Sequence, residues 1–255
     1  MKDILRRARL RLVQMHYESG VGHIGGNLSS LDLMLVLHHR VMRDADRFIL
    51  SKGHSAGALY VTLWSLGLLT DDDLKSFHKD PTRLAAHPPP EGIPQTLFAT
   101  GSLGHGLGLA AGVALGRRLR NEPGRVFCLM SDGEWNEGSN WEALAFISHH
   151  RLDNLSIIVD LNGLQGFGST KEVADIGRLA DRFRGLSLEV LSIDGHEPQS
   201  IEQSLRVTSP DKAVAIVATT VKGHGVSFME NRMEWHYLPM SLEQYTQATE
   251  EIGRQ

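Results

Sequence analysis

The chain has 255 residues, with 26 Lys+Arg against 30 Asp+Glu and a formal net charge of −4, so it carries no basic field for holding nucleic acid or an anionic membrane. Its one cysteine, Cys128, excludes an internal disulfide framework and a cysteine-rich zinc site and fits a cytoplasmic protein. No apolar run reaches the roughly 18 residues of a membrane-spanning helix, and the basic N-terminus lacks the apolar stretch of a secretory signal.

The first half of the chain predicts helices separated by glycine- and proline-rich loops. Apolar residues spaced 3, 4, 3 (Leu5, Ala8, Leu12, Met15) indicate an amphipathic first helix. The predicted elements are a helix over 3–18, a glycine-rich loop over 20–26, a helix opened by a Ser29–Asp32 capping box and running to about His39, a strand over 47–51, a helix over about 55–67, a short helix opened by Thr70 and Asp73, and a long loop over 80–100.

The second half is more regular. Near-continuous apolar strands alternating with helices are typical of a parallel sheet covered on both faces. The predicted strands lie at 125–131, 155–160, 187–193 and 213–220, with helices following Gly108, over 138–150 and, from Ser241, over about 241–252. Because no linker or repeat divides the chain, we expect a single α/β domain over 1–255.

Two polar residues follow neighbouring predicted strands. Asp132 lies just beyond one strand and Asn162 just beyond the next. Parallel strands joined by a helix lie side by side, so both residues should reach the same carboxyl edge, where open α/β sheets bind ligands. Carboxylate and amide oxygens suit Mg²⁺, and Gly133 with the helix beginning near Gly138 suits a phosphate. Ordinary turn and capping roles account for the same residues equally well.

A second cluster of glycines spans 100–108 and leads into a helix of small residues. Its spacing is not GxGxxG, so a dinucleotide fingerprint is unsupported. The glycines either cradle a phosphate or allow close helix packing. Several of the 13 histidines also stand in predicted loops, next to glycine or proline (His23, His54, His87, His105, His224, His236). A group of loop histidines near glycine turns indicates a pocket that handles hydroxyls, phosphates and protons.

Together these motifs resemble the N-terminal, diphosphate-binding part of transketolase, over almost the whole chain. The motifs that carry the resemblance occur in family order: GHIGGNLS at 22–29, RFILSKGH at 47–54, His87-Pro88, TGSLG at 100–104, DGE at 132–134, EG at 137–138 with WEA at 141–143, DLN at 160–162 with Gln165, KG at 222–223 and WH at 235–236. The resemblance implies the thiamine-diphosphate-binding fold, a parallel β-sheet sandwiched between helices.

The resemblance also implies roles for individual residues. The metal would be Mg²⁺ or a similar divalent cation, held by Asp132, Asn162 and the backbone oxygen of Leu164. Residues that would bind thiamine diphosphate are His54, Gly101, Leu103, Gly104, Gly133, Glu134, Asn162 and His236. The implied catalytic residues are His23, His87 and His236, which would face the sugar, and Glu137, which would join a network coupling two active sites across the dimer.

The chain departs from the family pattern in two respects. Ser131 and Leu161 replace a glycine and an asparagine, and Ser102 and His105 replace a common proline and glutamine. The chain also stops near the point where a transketolase continues into its pyrimidine-binding domain. The glutamate that contacts the aminopyrimidine ring and the basic residues that hold a sugar phosphate would therefore belong to another chain.

These features predict the N-terminal subunit of a two-component transketolase. With a C-terminal subunit carrying the pyrimidine-binding domain, as an α₂β₂ assembly, it would transfer a two-carbon ketol unit from a ketose or ketose phosphate to an aldose or aldose phosphate. Three alternatives stay open at this point: a split transketolase-like enzyme of a specialised sugar pathway, the α subunit of a 2-oxo-acid decarboxylase or dehydrogenase component, and a non-enzymatic thiamine-diphosphate binder.

Overall fold

A five-stranded parallel sheet forms the centre of the molecule in the computed structural model, which describes all residues from Met1 to Gln255. The strands are β1 (Arg47–Leu50), β2 (Val126–Ser131), β3 (Leu155–Leu161), β4 (Glu189–Asp194) and β5 (Val214–Thr219). They lie in the order β1-β2-β3-β5-β4, and every neighbouring pair is parallel. The predicted α/β class and the predicted strands are confirmed, with bounds shifted by one or two residues.

Helices cover both faces of this sheet. They are α1 (Lys2–Ser19), α2 (Ile24–Val36), α3 (Ala56–Ser65), α4 (Asp71–Lys75), α5 (Gly106–Leu119), α6 (Gly138–His149), α7 (Thr170–Ala174), α8 (Leu179–Gly185), α9 (Pro198–Arg206) and α10 (Leu242–Gly253). Alternate residues of β2 point to opposite faces, so that Phe127 and Leu129 join one buried apolar cluster and Cys128 and Met130 join the other. No helix of the chain is both long and apolar enough to cross a membrane.

The start of α2 differs from the sequence expectation. The helix begins at Ile24, so the end of the glycine-rich loop forms its first turn, and Ser29 is not an N-cap. The Ser29 hydroxyl donates to the Asp160 carboxylate (2.7 Å) and also lies 3.1 Å from the Gly26 carbonyl. Asp32 instead accepts two hydrogen bonds from Arg9 on α1. The predicted capping box is therefore wrong, because long-range charged partners replace the local ones.

Two other predicted helix starts are confirmed. Thr70 at α4 and Ser241 at α10 each make both hydrogen bonds of a capping box. The 80–100 segment contains neither helix nor strand, as its prolines predict. It carries His87 to the edge of the sheet, where the functional residues meet.

Candidate cofactor and substrate site

A cleft of about 350 Å³ opens at the carboxyl edge of the sheet. Asp132 and Asn162 both line it, because β2 and β3 pair in register and end at the same level. The loop over 220–225 after β5 adds Lys222, because β5 is the other neighbour of β3. The sheet topology therefore brings three strand ends to one cleft, where doubly wound sheets bind ligands.

Most of the residues implied by the transketolase resemblance lie on this cleft. Those lining it are His23, His54, His87, Gly101, Leu103, Asp132, Gly133, Glu137, Asn162, Leu164 and His236. Gly104 and Glu134 are implied cofactor residues that do not line it. The structure thus brings together groups from the N-terminal helices, the proline-rich loop and the strand ends.

Gly104 and Glu134 lie directly behind the wall of the cleft. The Glu134 side chain is fully buried and accepts hydrogen bonds from the Gly104 backbone N–H (3.0 Å) and from the Ser51 hydroxyl. Burial raises the pKa of Glu134, and the bonds from Ser51 and Gly104 oppose that shift. In this structure Glu134 therefore anchors the glycine loop to the end of β1 and does not itself face the cleft.

Oxygen donors converge at the ends of β2 and β3. The Asp132 carboxylate accepts backbone hydrogen bonds from Gly133 (2.8 Å) and Gly163 (2.5 Å), and Asn162 Oδ1 accepts one from Leu164 (3.1 Å). Burial and the nearby Asp160 carboxylate raise the pKa of Asp132 to about 6. A bound cation would relieve the cost of this buried charge, and a carboxylate, an amide and a carbonyl are the hard oxygen ligands that Mg²⁺ prefers.

A buried ion pair supports the floor of the cleft. Lys52 and Asp160 are both fully buried and in direct contact, and Asp160 also accepts hydrogen bonds from the hydroxyls of Ser29 (2.7 Å) and Thr220. Burial by itself raises the pKa of Asp160, but the Lys52 ammonium together with the hydrogen bonds from Thr220 and Ser29 outweighs burial, and the pKa falls below its usual value. The pair ties the end of β1 to the end of β3.

Four histidine rings lie close together in the lining of the cleft. Ring centroids lie 5.1 Å apart for His23 and His236, 5.6 Å for His23 and His54, and 6.3 Å for His23 and His87. Burial lowers the pKa of all four, and for His236 burial and the Lys222 ammonium lower the pKa to about 3. At neutral pH these imidazoles are uncharged, so each ring offers one donor and one acceptor to a hydroxyl-rich ligand.

Two residues that line the cleft have a polar side-chain atom without a partner. His23 Nδ1 and Gln165 Nε2 are buried and have no hydrogen-bond partner within the chain. Such atoms are rare and costly unless something binds them. Gly133 makes room for Gln165, since a Cβ at position 133 would lie 2.8 Å from Gln165 Cδ. Likewise, Gly101 has φ of +150°, and its Cβ would lie 2.8 Å from the His87 ring.

Sequence reasoning gave no role to several residues that line the cleft. They are Gly26, Ser131, Asn136, Gln165, Gly166, Phe167, Lys222 and Tyr237. Lys222 is the main omission: its Nζ lies 3.3 Å from the Leu164 carbonyl and 3.0 Å from His236 Nδ1. Burial and Lys52 lower the pKa of Lys222 to about 8, opposed by Asp132 and Asp160. Its signal in the sequence was the KG motif at 222–223, just beyond a predicted strand, to which no role was assigned.

Comparison with known proteins decides the family. Residues 2–255 match the family described as "Transketolase, thiamine diphosphate binding domain". The chain belongs to this transketolase family. It is 36% identical to a protein of Phocaeicola vulgatus named as a subunit of apulose-4-phosphate transketolase, over 96% of this chain and 91% of that protein. It is 33% identical to "6-deoxy-6-sulfo-D-fructose transketolase subunit SqwG" of Clostridium sp. (strain MSTE9), over 92% of this chain and 90% of that protein.

The fold is also that of transketolases. The structure of transketolase from Leishmania mexicana superposes with a TM-score of 0.91 at 24% identity, covering 99% of this chain and 41% of that one. The predicted resemblance and the predicted fold are therefore confirmed. The comparisons do not favour the 2-oxo-acid alternative.

Proposed function

We propose that the chain is the N-terminal subunit of a two-component transketolase that transfers a two-carbon ketol unit from a ketose or its phosphate to an aldose or its phosphate. The observation that carries the proposal is the convergence, on one cleft, of the Asp132 and Asn162 oxygens with the histidines at 23, 87 and 236. Family membership and the two relatives named as transketolase subunits support it.

The residues of the cleft fit thiamine diphosphate and a divalent cation such as Mg²⁺. Asp132, Asn162 and the Leu164 carbonyl would hold the cation, and Lys222, His54 and His236 would contact the diphosphate. Gly101, Leu103 and Gly133 would form the wall beside it, with Gly104 and Glu134 fixing that wall from behind. The bound cofactor supplies the carbon centre that accepts the ketol unit.

Three of the four neutral histidines would bind the sugar. His23 and His87 both line the cleft, with ring centroids 6.3 Å apart, and would offer unprotonated ring nitrogens to substrate hydroxyls. His236 lies between Lys222 and His23 and would orient the hydroxyl nearest the reacting carbon. Glu137 is exposed at the rim, where its carboxylate would join a network reaching a second active site in the assembly.

A second subunit would complete the site. Two relatives are named as subunits of transketolases, and the chain covers about nine-tenths of each but 41% of the Leishmania mexicana enzyme. We infer that the partner carries the pyrimidine-binding domain, that the assembly is α₂β₂, and that residues 1–255 act in it as one diphosphate-binding domain. The cytoplasm as its compartment stays a prediction.

The names of the relatives favour a specialised substrate as a variant of this function. One is named for apulose 4-phosphate and the other for 6-deoxy-6-sulfo-D-fructose. Both compounds carry an anionic group away from the carbonyl. A donor screen should therefore include branched and sulfonated sugars beside the common ketose phosphates.

Calorimetry tests the cofactor site on this chain without a partner. Thiamine diphosphate should bind wild-type protein only with Mg²⁺ present, and Asp132→Ala should abolish this binding. Asp153→Ala is the matched control, because Asp153 is an exposed aspartate at the opposite end of the sheet, before β3. Equal Mg²⁺-dependent binding by wild type and Asp132→Ala would contradict the proposed site.

Reconstitution tests the reaction. Mixing the chain with the product of the neighbouring gene for a pyrimidine-binding subunit should give ketol transfer, whereas each of the two proteins by itself should give none. Turnover by this chain without the second protein would refute a divided active site. Consumption of pyruvate with a lipoyl acceptor would instead indicate the 2-oxo-acid class.

A further inference from the structure

Lys222 is the only lysine or arginine that lines the cleft. Its ammonium reaches the Leu164 carbonyl and His236, two groups implied in binding the metal and the diphosphate. The position of this one positive charge therefore matters for any anionic ligand of the cleft. Its backbone lies in the 220–225 loop, and a side chain that binds this loop, His196, does not line the cleft.

A chain of buried polar groups leads to this loop from the far side of α2. Arg9 Nη2 donates to both carboxylate oxygens of Asp32, at 2.8 and 2.6 Å. Asp32 Oδ2 lies 2.9 Å from His196 Nδ1, and the Val221 backbone N–H donates to His196 Nε2 at 2.9 Å. The Asp32 side chain is fully buried, and those of Arg9 and His196 are about one-tenth exposed.

The direction of these bonds determines the state of the His196 ring. A backbone N–H can only donate, so Nε2 must keep its lone pair toward Val221. Nδ1 must then carry the proton and donate to Asp32, which itself is charged and paired with Arg9. Asp32 thus selects the one neutral tautomer that can hold Val221.

The same cluster has the composition of a metal site, since Asp32, His196 and His224 offer ligand atoms within 4.8 Å of one another. Hydrogen bonding argues against that use. Both nitrogens of His196 and both oxygens of Asp32 already have partners, and His224 stacks on His196 with ring centroids 3.5 Å apart. The cluster is therefore a hydrogen-bonded support.

We propose that Asp32 and His196 are positioning residues, a relay that holds the Val221 backbone so that the neighbouring Lys222 ammonium is placed for the diphosphate end of the cofactor. This inference rests on the proposed cofactor site. It assigns a function in ligand binding to residues that do not touch the cleft. Breaking the His196–Val221 bond should weaken binding through Lys222, while the fold is retained.

Two substitutions at position 196 separate the halves of the relay. His196→Gln keeps an oxygen near the place of Nε2 and can still accept from Val221, whereas His196→Asn keeps a donor for Asp32 but cannot reach Val221. In calorimetry with saturating Mg²⁺, His196→Asn should raise the Kd for thiamine diphosphate about tenfold, and His196→Gln should stay within about threefold. His149→Asn, at an exposed histidine ending α6, is the matched control and should leave the Kd unchanged.

A double-mutant cycle tests whether the effect passes through Lys222. If it does, His196→Asn should add almost nothing to the loss already caused by Lys222→Met. Full additivity, or equal Kd values for wild type and His196→Asn, would overturn the relay. So would equally weak binding by His196→Gln and His196→Asn at matched melting temperatures.

The ring tautomer of His196 provides a test that needs no cofactor and no variant. Nitrogen-15 NMR of the ligand-free wild-type chain should show His196 protonated at Nδ1 and unprotonated at Nε2 near neutral pH. A proton at Nε2 would refute the relay even if the cofactor binds. Conversely, failure of the wild type to bind thiamine diphosphate would refute the proposed function, while the tautomer would still report on the Asp32–His196–Val221 geometry.

Discussion

Replacing Lys52 with methionine should destabilise the chain more than any exposed substitution. Lys52 and Asp160 have no exposed side-chain surface, and they join the ends of β1 and β3. Lys52→Met keeps most of the buried apolar stem but leaves the Asp160 carboxylate with no charged partner, only the hydroxyls of Ser29 and Thr220 and the Asn162 amide at 3.4 Å. Removing one member of a buried ion pair typically costs about 3–5 kcal/mol.

That cost is a large part of the roughly 5–15 kcal/mol by which a folded domain is stable. The assay is urea unfolding at neutral pH, followed by circular dichroism. Lys171→Met, at an exposed lysine in α7, should change the free energy of unfolding by less than about 0.5 kcal/mol. The double variant Lys52→Met/Asp160→Asn should recover at least half of the loss, because it removes the unpaired charge together with its partner.

The pH dependence gives a second readout of the same pair. The folded-state pKa of Asp160 lies below its usual value of 3.8, so in the wild type its stabilisation is present above that value and is lost as pH falls through the folded-state pKa. Without Lys52 the pKa of Asp160 should rise, and the deficit of the variant should narrow on acidification. This account of the ion pair would be refuted if Lys52→Met lowered the free energy of unfolding by less than about 1 kcal/mol, or if the double variant recovered none of that loss.

Three further predictions follow from single sites. Gly101→Ala should lower the free energy of unfolding by about 1–3 kcal/mol, and with it the melting temperature, because φ there is +150° and a Cβ would meet the His87 ring. Gly108→Ala is the control and should not lower the melting temperature, because a Cβ at position 108 in α5 would point into open space. The folded-state pKa of Asp132, about 6, exceeds its unfolded value of 3.8, so without metal the contribution of Asp132 to stability should fall as pH rises from about 4 to about 6. Asp132→Asn should therefore flatten the plot of urea midpoint against pH over that range. An unchanged slope in the variant would contradict this prediction. Ser241→Ala should cost about 1 kcal/mol in urea unfolding by removing the capping box of α10, and a cost near zero would show that packing alone holds this helix.

The sequence alone was enough to predict the strands and to predict that Asp132 and Asn162 reach the same edge of the sheet. The apolar runs of β2 and β3 identify both strands, and Asp132 and Asn162 follow directly after them. These features are local: a buried parallel strand needs a continuous apolar segment, and the residue after it lies at the carboxyl edge. Capping at Ser241 was predictable for the same reason, since both of its partners lie within one helical turn.

The place of Lys222 depended on the tertiary structure. Chain order would put β4 beside β3, yet β5 takes that position, and only this crossover brings Lys222 next to Leu164. Asp32 is a similar case, because its local pattern with Ser29 resembles a cap while its actual partners, Arg9 and His196, come from other elements. Local patterns report a residue's neighbours along the chain, whereas charged and hydrogen-bonding groups in the interior take whichever partners the packing of distant elements brings within reach.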